Sequence, residues 1–328
     1  MSAFEPGAVT GPGLLPAPPR VPAPHPAPNP TLPPLPTWRV WLAAARPFSL
    51  TASVIPVLIG TALSVANGTF YPLLFLLALA SGVLLQVGTN LVNSYYDYLN
   101  GLDNAENKAH NQPVLVLGWM QPQTMLKGSF VVFLLAVLLG VYLVAVRGWL
   151  IAVLGIIGLL GGFFYTARPV NYKYLGLGVP LVFILMGVLM VVGAYAVQTG
   201  RATWAAVVAS LPISCLVAAI LHANDLRDFH DDRKAKVTTL TTLIGPRRGA
   251  WFYDVLIAGA YLTVVLNVIL GLFPVWTLAV FLTLPEAFRL MQRVHRGGNQ
   301  IIMVEPLTAR LHMLFGLILT AGVLVSLL

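Results

Sequence analysis

Long apolar stretches recur along this 328-residue chain from about residue 38 onward, separated by short polar connections. A helix that crosses a bilayer needs roughly 20 mostly apolar residues, and the stretches reach that length with few charges inside them. The pattern predicts an all-α membrane protein with about nine transmembrane helices. They are expected at 48–66, 72–96, 125–146, 149–167, 178–198, 203–223, 250–270, 273–290 and 308–328.

The first 37 residues differ from the rest of the chain. Thirteen of its 25 prolines lie between Pro6 and Pro36, mostly alternating with alanine. Proline lacks a backbone donor and disfavours helix in the residue before it. We therefore expect a disordered, extended Pro/Ala-rich tail over 1–37, followed by a transmembrane domain over 38–328. The tail lacks the basic start and compact apolar core of a signal peptide.

Composition supports the membrane assignment. Hydrophobic residues make up 58% of the chain and charged residues only 9%, and the mean hydropathy is +0.83. About a quarter of the residues of a soluble domain are charged, so a soluble globular protein is excluded. So much apolar surface also excludes disorder of the whole chain. The single cysteine, Cys215, excludes a disulfide framework and a cysteine-based zinc site.

The basic residues predict the orientation in the membrane. With the N-terminus inside, 17 of the 19 lysines and arginines fall on the inner side, and only Arg147 and Arg201 fall outside. This asymmetry follows the positive-inside rule and places the two longest polar loops, 97–124 and 224–249, on the cytoplasmic face. The net charge of +8 is spread over short loops and forms no solvated face, which argues against nucleic-acid binding.

Seven of the eleven carboxylates lie in two segments, each following the end of an apolar span. The segments read NLVNSYYDYLNGLDNAENK and HANDLRDFHDDRKAK. Asn93 and Asp97 are four residues apart and share a helix face, as do Asp228 and Asp232. Asp103 joins the first group only if the helix ends before it, and Gly101 is the residue expected to end it.

Crowded carboxylates at the mouth of a helix bundle repel each other and require a compensating cation. Oxygen ligands without cysteine favour Mg²⁺, which binds one or two carboxylates together with a substrate phosphate. The predicted ligands are Asp97, Asp103, Asp228 and Asp232. Ordinary solvated loop charges are the alternative interpretation. Two such segments on one membrane face favour a site, and flanking basic residues suit a phosphate.

A lipidic diphosphate accounts for this arrangement. Its head would lie at the two acidic loops, and its apolar tail would lie among the helices or in lipid. Cleavage of its C–O bond leaves an allylic cation, and Mg²⁺ stabilises the departing diphosphate as a Lewis acid. Aromatic rings shield such a cation from water. The candidate rings, which also suit a membrane interface, belong to Tyr95, Tyr96, Tyr165, Tyr172 and Tyr174.

The segments NSYYDYLNGLD and NDLRDFHDDR resemble the two Asp-rich motifs of the UbiA superfamily of intramembrane prenyltransferases. RPFSLTASVIPVLIGTAL, YTARPVNYKYLGLG and VTTLTTLIGP extend the resemblance over about residues 45 to 290. The ending Gly101-x-Asp103 is similar to the branch that prenylates 1,4-dihydroxy-2-naphthoate. The chain departs from the family pattern near Gln112, where a basic residue is usual, and at Val179, where an acidic residue is common.

The resemblance implies a helix bundle around a central cavity that opens to the cytoplasmic side, with Mg²⁺ bridging a prenyl diphosphate to both motifs. It implies catalytic roles for Asp97 and Asp228. The resemblance also implies residues that bind the diphosphate, some of them as substitutes for family residues that this chain lacks. They are Asn93, Lys108, Arg168, Lys173, Asn224, Arg227 and Arg233.

The implied reaction is transfer of a polyprenyl group to an aromatic acceptor, with 1,4-dihydroxy-2-naphthoate in menaquinone biosynthesis expected first. The alternatives are another acceptor (4-hydroxybenzoate, homogentisate or a porphyrin) or a non-catalytic lipid-binding or transport protein. Transporters place charges at the bilayer midplane, whereas these spans are nearly free of charge. The expected partners are the polyprenyl diphosphate, the aromatic acceptor and membrane lipid. The sequence leaves the prenyl chain length and the oligomeric state open.

Overall fold

The structure, a computed structural model, describes residues 36–103 and 114–325. These residues form helices and connecting loops, with one isolated parallel bridge between Leu175 and Thr238. The helices before residue 200 are α1 Thr37–Ala45, α2 Thr51–Ala66, α3 Pro72–Leu99, α4 Pro122–Arg147, α5 Trp149–Phe163 and α6 Gly178–Thr199. Those after it are α7 Trp204–Arg227, α8 Phe229–Lys234, α9 Leu240–Ile244, α10 Pro246–Ile269, α11 Leu284–Arg296 and α12 Val304–Val325.

Proline and glycine set several of these boundaries. Pro72, Pro122 and Pro246 occupy the first helical position of α3, α4 and α10. A backbone N–H at that position would have no hydrogen-bond partner within the helix, so its absence in proline costs nothing. Gly200 ends α6 in the left-handed conformation, with φ +76°. Within α6, residues Phe183–Leu189 form wider π-helical turns, a feature that recurs at functional sites.

Among the described residues, seven helices are long and apolar enough to cross a membrane: α2 with the 3₁₀ turn before it, α3, α4, α6, α7, α10, and α12 with the turn before it. The all-α prediction is confirmed for residues 36–103 and 114–325, whereas the count of nine spans is not. The expected span at 149–167 is the 15-residue α5. The expected span at 273–290 divides into a 3₁₀ helix, Val275–Thr283, and the amphipathic α11.

Helices α2, α6, α7, α10 and α12 pack around the main apolar core, in which Ile55, Ile213, Tyr253 and Phe315 are fully buried. Helix α3 packs along α4 and also contacts α2, α5 and α6. Large apolar side chains remain exposed on the outer faces, for example Leu138 on α4 and Leu262 on α10. Such faces suit lipid, since a soluble protein rarely exposes large apolar patches.

The alternating direction of the helices brings chemically important ends together. Helices α3, α5 and α7 end at the same side of the bundle at which α2, α4, α6, α10 and α12 begin. At this side, the N–H of Gly176 donates to the carbonyl of Thr238 at 2.9 Å, which ties the loop after α5 to the segment after α8. Both acidic segments therefore emerge at one end of the bundle. The assignment of that end to the cytoplasm stays a prediction.

Candidate active site

The first acidic segment lies on the last turns of α3. Asn93 and Asp97 share the face predicted from their spacing, and both are buried. The helix ends at Leu99, and Gly101 follows with φ +73°. This reversal turns the chain back, so that the N–H of Asp103 donates to the carbonyl of Asp97 at 3.3 Å. The prediction that Gly101 ends the helix is confirmed, and Asp97 and Asp103 line the same cavity.

The second acidic segment spans the junction of α7 and α8. Asp228 closes α7 and precedes α8, and the N–H of Asp232 donates to its carbonyl at 2.9 Å. The one-turn offset puts both carboxylates on the cavity side of the short helix. Asn224 and Asp225, on the last turn of α7, line the same cavity. The structure thus brings together Asn93, Asp97, Asp103, Asn224, Asp228 and Asp232.

Lys173, in the loop after α5, pairs with the first segment. Its Nζ atom lies 2.9 and 2.7 Å from the two carboxylate oxygens of Asp97 and 3.2 Å from Oδ1 of Asn93. The Tyr174 hydroxyl donates to the same carboxylate at 2.8 Å. Burial lowers the pKa of Lys173, but the charge of Asp97 and its hydrogen bond outweigh that effect and raise the pKa overall. The lysine therefore stays charged inside the protein.

Arg227 plays the corresponding part in the second segment. Its Nε and Nη2 atoms donate to the two oxygens of Asp228, each at 2.7 Å, and its Nη1 atom donates to Glu305 on α12. Asn224 also donates to Glu305, at 3.3 Å. Sequence reasoning missed Glu305. Its position at the start of the last apolar span, on the same side as both acidic segments, is the signal that points to it.

Arg46 is a second residue that sequence reasoning did not assign to the site. It lines the cavity with a left-handed backbone, φ 53°, and its Nη2 atom donates to Ser94 at 3.1 Å. A chain of bonds fixes this turn: Asn90 donates to Ala45 and Ser49, and the Ser49 hydroxyl donates to the Arg46 carbonyl at 2.9 Å.

The two acidic segments interact electrostatically across the cavity. Burial, followed by the charge of Asp97, raises the pKa of Asp103 to about 6. Burial and the neighbouring charges of Asp228 and Asp97 raise the pKa of Asp232 to about 7, although Lys173 opposes this. Both shifts indicate negative charge that the nearby cations do not fully neutralise.

Two residues expected to contact the diphosphate lie away from the described cavity. Arg168 and Arg233 are exposed and are not part of its lining. Arg233 follows Asp232 on a short helix, and a step of five residues from Asp228 turns it away from the cavity face. Arg168 lies in the turn after α5, before the buried Tyr172. Lys108 lies outside the described residues.

The cavity has a volume of about 620 Å³. Its polar end carries seven carboxylates and three cations among the described residues: Asp97, Asp103, Asp225, Asp228, Asp231, Asp232 and Glu305 with Arg46, Lys173 and Arg227. The buried Tyr165 and Tyr172 line the wall beside this end, with ring centroids 5.3 Å apart. The remaining wall is mostly apolar and comes from α2 to α7, with the polar side chains Ser81, Gln86, Thr89 and Asn90 on α3.

The donor set suits a hard divalent cation. The acidic side chains offer only oxygen atoms as ligands, and they outnumber the basic side chains at the polar end of the cavity. No group of three acidic, histidine or cysteine side chains has metal-binding geometry among the residues described. In phosphate sites Mg²⁺ takes one or two carboxylates and completes its shell with water and phosphate oxygens. The residues therefore fit Mg²⁺ bound together with a phosphorylated ligand.

Residues 53–304 match the family model described as the UbiA prenyltransferase family. Over 283 residues the chain is 34% identical to the 1,4-dihydroxy-2-naphthoate octaprenyltransferase of Bacillus subtilis (strain 168), covering 86% of this chain and 91% of that protein. It is 32% identical over 291 residues to human UbiA prenyltransferase domain-containing protein 1, covering 87% of this chain and 83% of the human protein.

The fold is similar to that of solved UbiA homologues. One, from Archaeoglobus fulgidus, was solved bound to GPP and Mg²⁺; its TM-score is 0.57 at 16% identity, with 86% of this chain and 99% of that chain covered. Another, an apo structure from Aeropyrum pernix K1, has a TM-score of 0.63 at 16% identity, with 84% and 98% covered. At such identities, the likeness extends to the fold alone.

Proposed function

The chain belongs to the UbiA prenyltransferase family, and from that premise we propose that it transfers a polyprenyl group from a prenyl diphosphate to 1,4-dihydroxy-2-naphthoate in menaquinone biosynthesis. It is a prenyltransferase and an integral, multi-pass membrane protein. We further propose that the reaction takes place at the cytoplasmic face, because the basic loops lie at the same end as the polar cavity.

One observation carries the proposal. A single cavity joins a strongly charged end, lined by both acidic segments and three cations, to a wall of apolar residues and glycines. A ligand that fits it has a multiply charged head and a long hydrocarbon tail, which describes a prenyl diphosphate. A soluble phosphate would leave the apolar part of the cavity without a partner.

We propose that Asp97, Asp103, Asp228 and Asp232 are the metal ligands, and that each Mg²⁺ would take one or two of these carboxylates together with diphosphate oxygens. The raised pKa values of Asp103 and Asp232 favour this assignment, since a bound cation would relieve the same repulsion. When bound, the metal supplies Lewis acidity that stabilises charge on the leaving diphosphate. The Archaeoglobus homologue was solved with GPP and Mg²⁺, which supports divalent metal use here.

Three cations of this chain are positioned for the diphosphate. Lys173 has three donor hydrogens and already faces Asn93 and Asp97, so a diphosphate oxygen beside Asp97 lies within its reach. Arg227 binds Asp228 through Nε and Nη2 and Glu305 through Nη1, so it places a positive charge beside Asp228 at the charged end of the cavity. Arg46 lines the same cavity and donates to Ser94, the residue after Asn93. Each favours departure of the diphosphate by stabilising its growing negative charge.

In the proposed reaction, the bond between the first prenyl carbon and the diphosphate oxygen breaks, and its electron pair leaves with the diphosphate. The resulting allylic cation is attacked by the electron-rich ring, which forms a carbon–carbon bond. Loss of the ring carboxylate as CO₂ returns an electron pair to the ring and restores its aromaticity. The products are prenylated dihydroxynaphthalene, diphosphate and CO₂.

Tyr165 and Tyr172 are proposed to shield the cation. Burial, together with the charge of Asp225, raises the pKa of Tyr165 well above its ordinary value, and burial raises the pKa of Tyr172. Both rings therefore stay neutral and do not trap the cation as phenolates. The Tyr172 hydroxyl donates to the carbonyl of Gly161 at 2.6 Å, which fixes that ring. Their π faces stabilise a nearby positive charge.

A panel of acceptors tests the substrate assignment. Purified protein in lipid vesicles is given geranylgeranyl diphosphate with 1,4-dihydroxy-2-naphthoate, 4-hydroxybenzoate or homogentisate, and the products are identified by mass spectrometry. The proposal predicts a prenylated, decarboxylated naphthalene as the main product. Preferred prenylation of either benzene-ring acceptor would overturn the choice of acceptor while retaining the prenyltransferase assignment.

A further inference from the structure

Helix α11 has two chemically different faces. The side chains of one face are buried against the bundle: Ala287, Leu290 and Val294. Arg289, Arg293 and Arg296 are exposed. Steps of four and three residues bring the three arginines to one side of a helix, because such steps are close to whole turns. The arginine side chains therefore form a stripe that faces away from the rest of the protein.

Trp251 marks the level of the membrane surface beside this stripe. It lies on the second turn of α10, and its side chain is 61% exposed. Tryptophan is enriched where the hydrocarbon of a bilayer meets the headgroups. The ring centroids of Trp251 and His295 are 5.1 Å apart, which joins α10 to α11 at this level. Because His295 lies between Arg293 and Arg296, these two arginines are at headgroup level.

Apolar side chains lie on the membrane side of the stripe. Leu282, near the end of the 3₁₀ helix Val275–Thr283, is 78% exposed, and Phe288 is 56% exposed. Seven residues separate Arg289 from Arg296, which is about 10 Å of helix. The headgroup layer on each side of a bilayer is about 5–8 Å thick. The stripe thus begins at the hydrocarbon boundary and extends through the headgroup layer.

The beginning of α10 adds two arginines to the same surface. Arg247 and Arg248 are exposed and lie about one turn before Trp251. Helices α10 and α11 pack against each other, so their exposed basic side chains are neighbours. We use the term arginine surface for the five exposed residues Arg247, Arg248, Arg289, Arg293 and Arg296.

The arginine surface keeps its charge because the carboxylates of α10 and α11 are paired elsewhere. Nε2 of His295 lies 2.6 Å from Oδ2 of Asp254, and Nε of Arg310 donates to Glu286 at 2.9 Å. Among the ion pairs within residues 36–103 and 114–325, none includes an arginine of this surface. Like charges repel each other, so a ligand that carries net negative charge is favoured here.

The position and the chemistry of this surface suit an anionic phospholipid. A guanidinium group matches the oxygens of a phosphate, and at headgroup level the phosphates of lipids are within reach. A zwitterionic phospholipid also offers a phosphate, but its ammonium group cancels the charge. Only a lipid with net negative charge relieves the repulsion among the arginines.

We propose that the arginine surface binds the headgroups of anionic phospholipids, with phosphatidylglycerol as the probe, and so holds α10 and α11 at the membrane surface. The bound headgroups offset the repulsion among the arginines and stabilise the folded protein. The acyl chains of these lipids lie against the exposed Leu282 and Phe288. The inference concerns attachment to the membrane and does not depend on the transfer reaction.

Lipid retention tests the proposal. The protein is placed in vesicles of phosphatidylcholine and phosphatidylglycerol and extracted in mild detergent, and the lipids that stay bound are identified by native mass spectrometry. We expect about tenfold enrichment of phosphatidylglycerol, since each basic residue near the surface adds attraction to anionic lipid. Added phosphatidylglycerol should also raise the melting temperature by a few degrees, because it binds the folded protein.

The double variant Arg289→Gln/Arg293→Gln should lose most of the enrichment and of the rise in melting temperature. Arg39→Gln/Lys127→Gln is the matched control, because it removes the same charge from exposed positions of α1 and α4. This control should behave like the wild type. Melting temperatures in pure phosphatidylcholine check that both variants fold, which is expected because glutamine is a good helix former.

Inorganic phosphate is added to the wild type in pure phosphatidylcholine to separate a lipid headgroup from a free anion. It should not raise the melting temperature, because it has no acyl chains that keep it at the surface. Equal retention of the two phospholipids by the wild type, or equal enrichment in both double variants, would overturn the proposal. Stabilisation by inorganic phosphate would overturn the choice of a lipid.

These measurements involve no prenyl transfer, so their failure would leave the proposed reaction unaffected. A wild type that selects phosphatidylglycerol but transfers no prenyl group would overturn the reaction and support the lipid site.

Discussion

Lys173 places its ammonium nitrogen 2.7 and 2.9 Å from the two carboxylate oxygens of Asp97, 76 residues earlier in the chain. The pair joins the loop after α5 to the end of α3, and both partners are largely buried. It also shows how the site tolerates an acidic cluster in a membrane protein, because a cation compensates the carboxylate. A diphosphate beside Asp97 would meet the same cation.

Replacement of Lys173 by methionine should lower kcat/KM about a hundredfold, because it removes a donor to the departing diphosphate. It also leaves Asp97 buried without its cation, so the melting temperature should fall. Lys127→Met is the matched control, since Lys127 is exposed at the start of α4. Steady-state kinetics with geranylgeranyl diphosphate and a thermal melt check both effects. Equal activity of the two variants would remove Lys173 from the mechanism.

Asp97→Asn and Asp228→Asn should each reduce turnover about a thousandfold or more while the protein remains folded in membranes, since each removes a proposed metal ligand and keeps the side-chain shape. Glu286→Gln provides the comparison, because Glu286 pairs with the exposed Arg310 away from the cavity. Size-exclusion profiles report the fold, and product formation reports the turnover. Retention of wild-type rates in both aspartate variants would refute the metal assignment.

Glu305 is expected to position Arg227. Glu305→Ala leaves a buried guanidinium with one partner fewer, so we predict a loss of about 3 kcal/mol in stability and a tenfold rise in KM for the prenyl diphosphate. The double variant Arg227→Met/Glu305→Ala should be more stable than the sum of the single losses predicts, because the two side chains interact directly. Additive losses in the double-mutant cycle would show that the contact carries no energy.

The Mg²⁺ requirement should depend on pH. With pKa values of about 6 for Asp103 and about 7 for Asp232, these carboxylates bind protons as the pH falls from 8 to 6, and a proton competes with the metal. The Mg²⁺ concentration for half-maximal activity therefore rises as the pH falls, and Asp232→Asn should weaken that dependence. A half-maximal concentration that does not change with pH would contradict the electrostatic account.

The same raised pKa values affect stability without metal. A carboxyl whose folded-state pKa lies above its unfolded value binds more protons when folded, so stability falls as the pH rises through the interval between the two values. In EDTA the melting temperature should thus be higher near pH 5 than near pH 8. Mg²⁺ with a prenyl diphosphate should stabilise the protein most at the higher pH, as differential scanning fluorimetry in detergent can measure.

Local pattern was enough to predict several parts of the fold and site. Helix starts and ends near Pro72 and Leu99 follow from apolar length and terminating residues. The four-residue spacing of Asn93 and Asp97 predicted a shared face, and the glycine after the helix predicted how Asp103 returns to it. These features depend on a few neighbouring residues, which is why sequence alone reveals them.

Other parts depend on contacts between distant segments. Glu305 reaches Arg227 across 78 positions, and Arg46 approaches Ser94 across 48. The side chain of Arg227, at the end of α7, is buried against Glu305 of α12, whereas Arg233 on α8 is exposed.

Metal-dependent binding of the prenyl diphosphate tests the central claim most directly. Wild-type protein in lipid vesicles is titrated with geranylgeranyl diphosphate, first in Mg²⁺ and then in EDTA, and transfer to 1,4-dihydroxy-2-naphthoate is followed in the same samples. We predict tight binding and a prenylated, decarboxylated product in Mg²⁺, with both lost in EDTA. Binding and transfer of equal strength in the two conditions would contradict a site in which the paired acidic segments hold the diphosphate through a divalent cation.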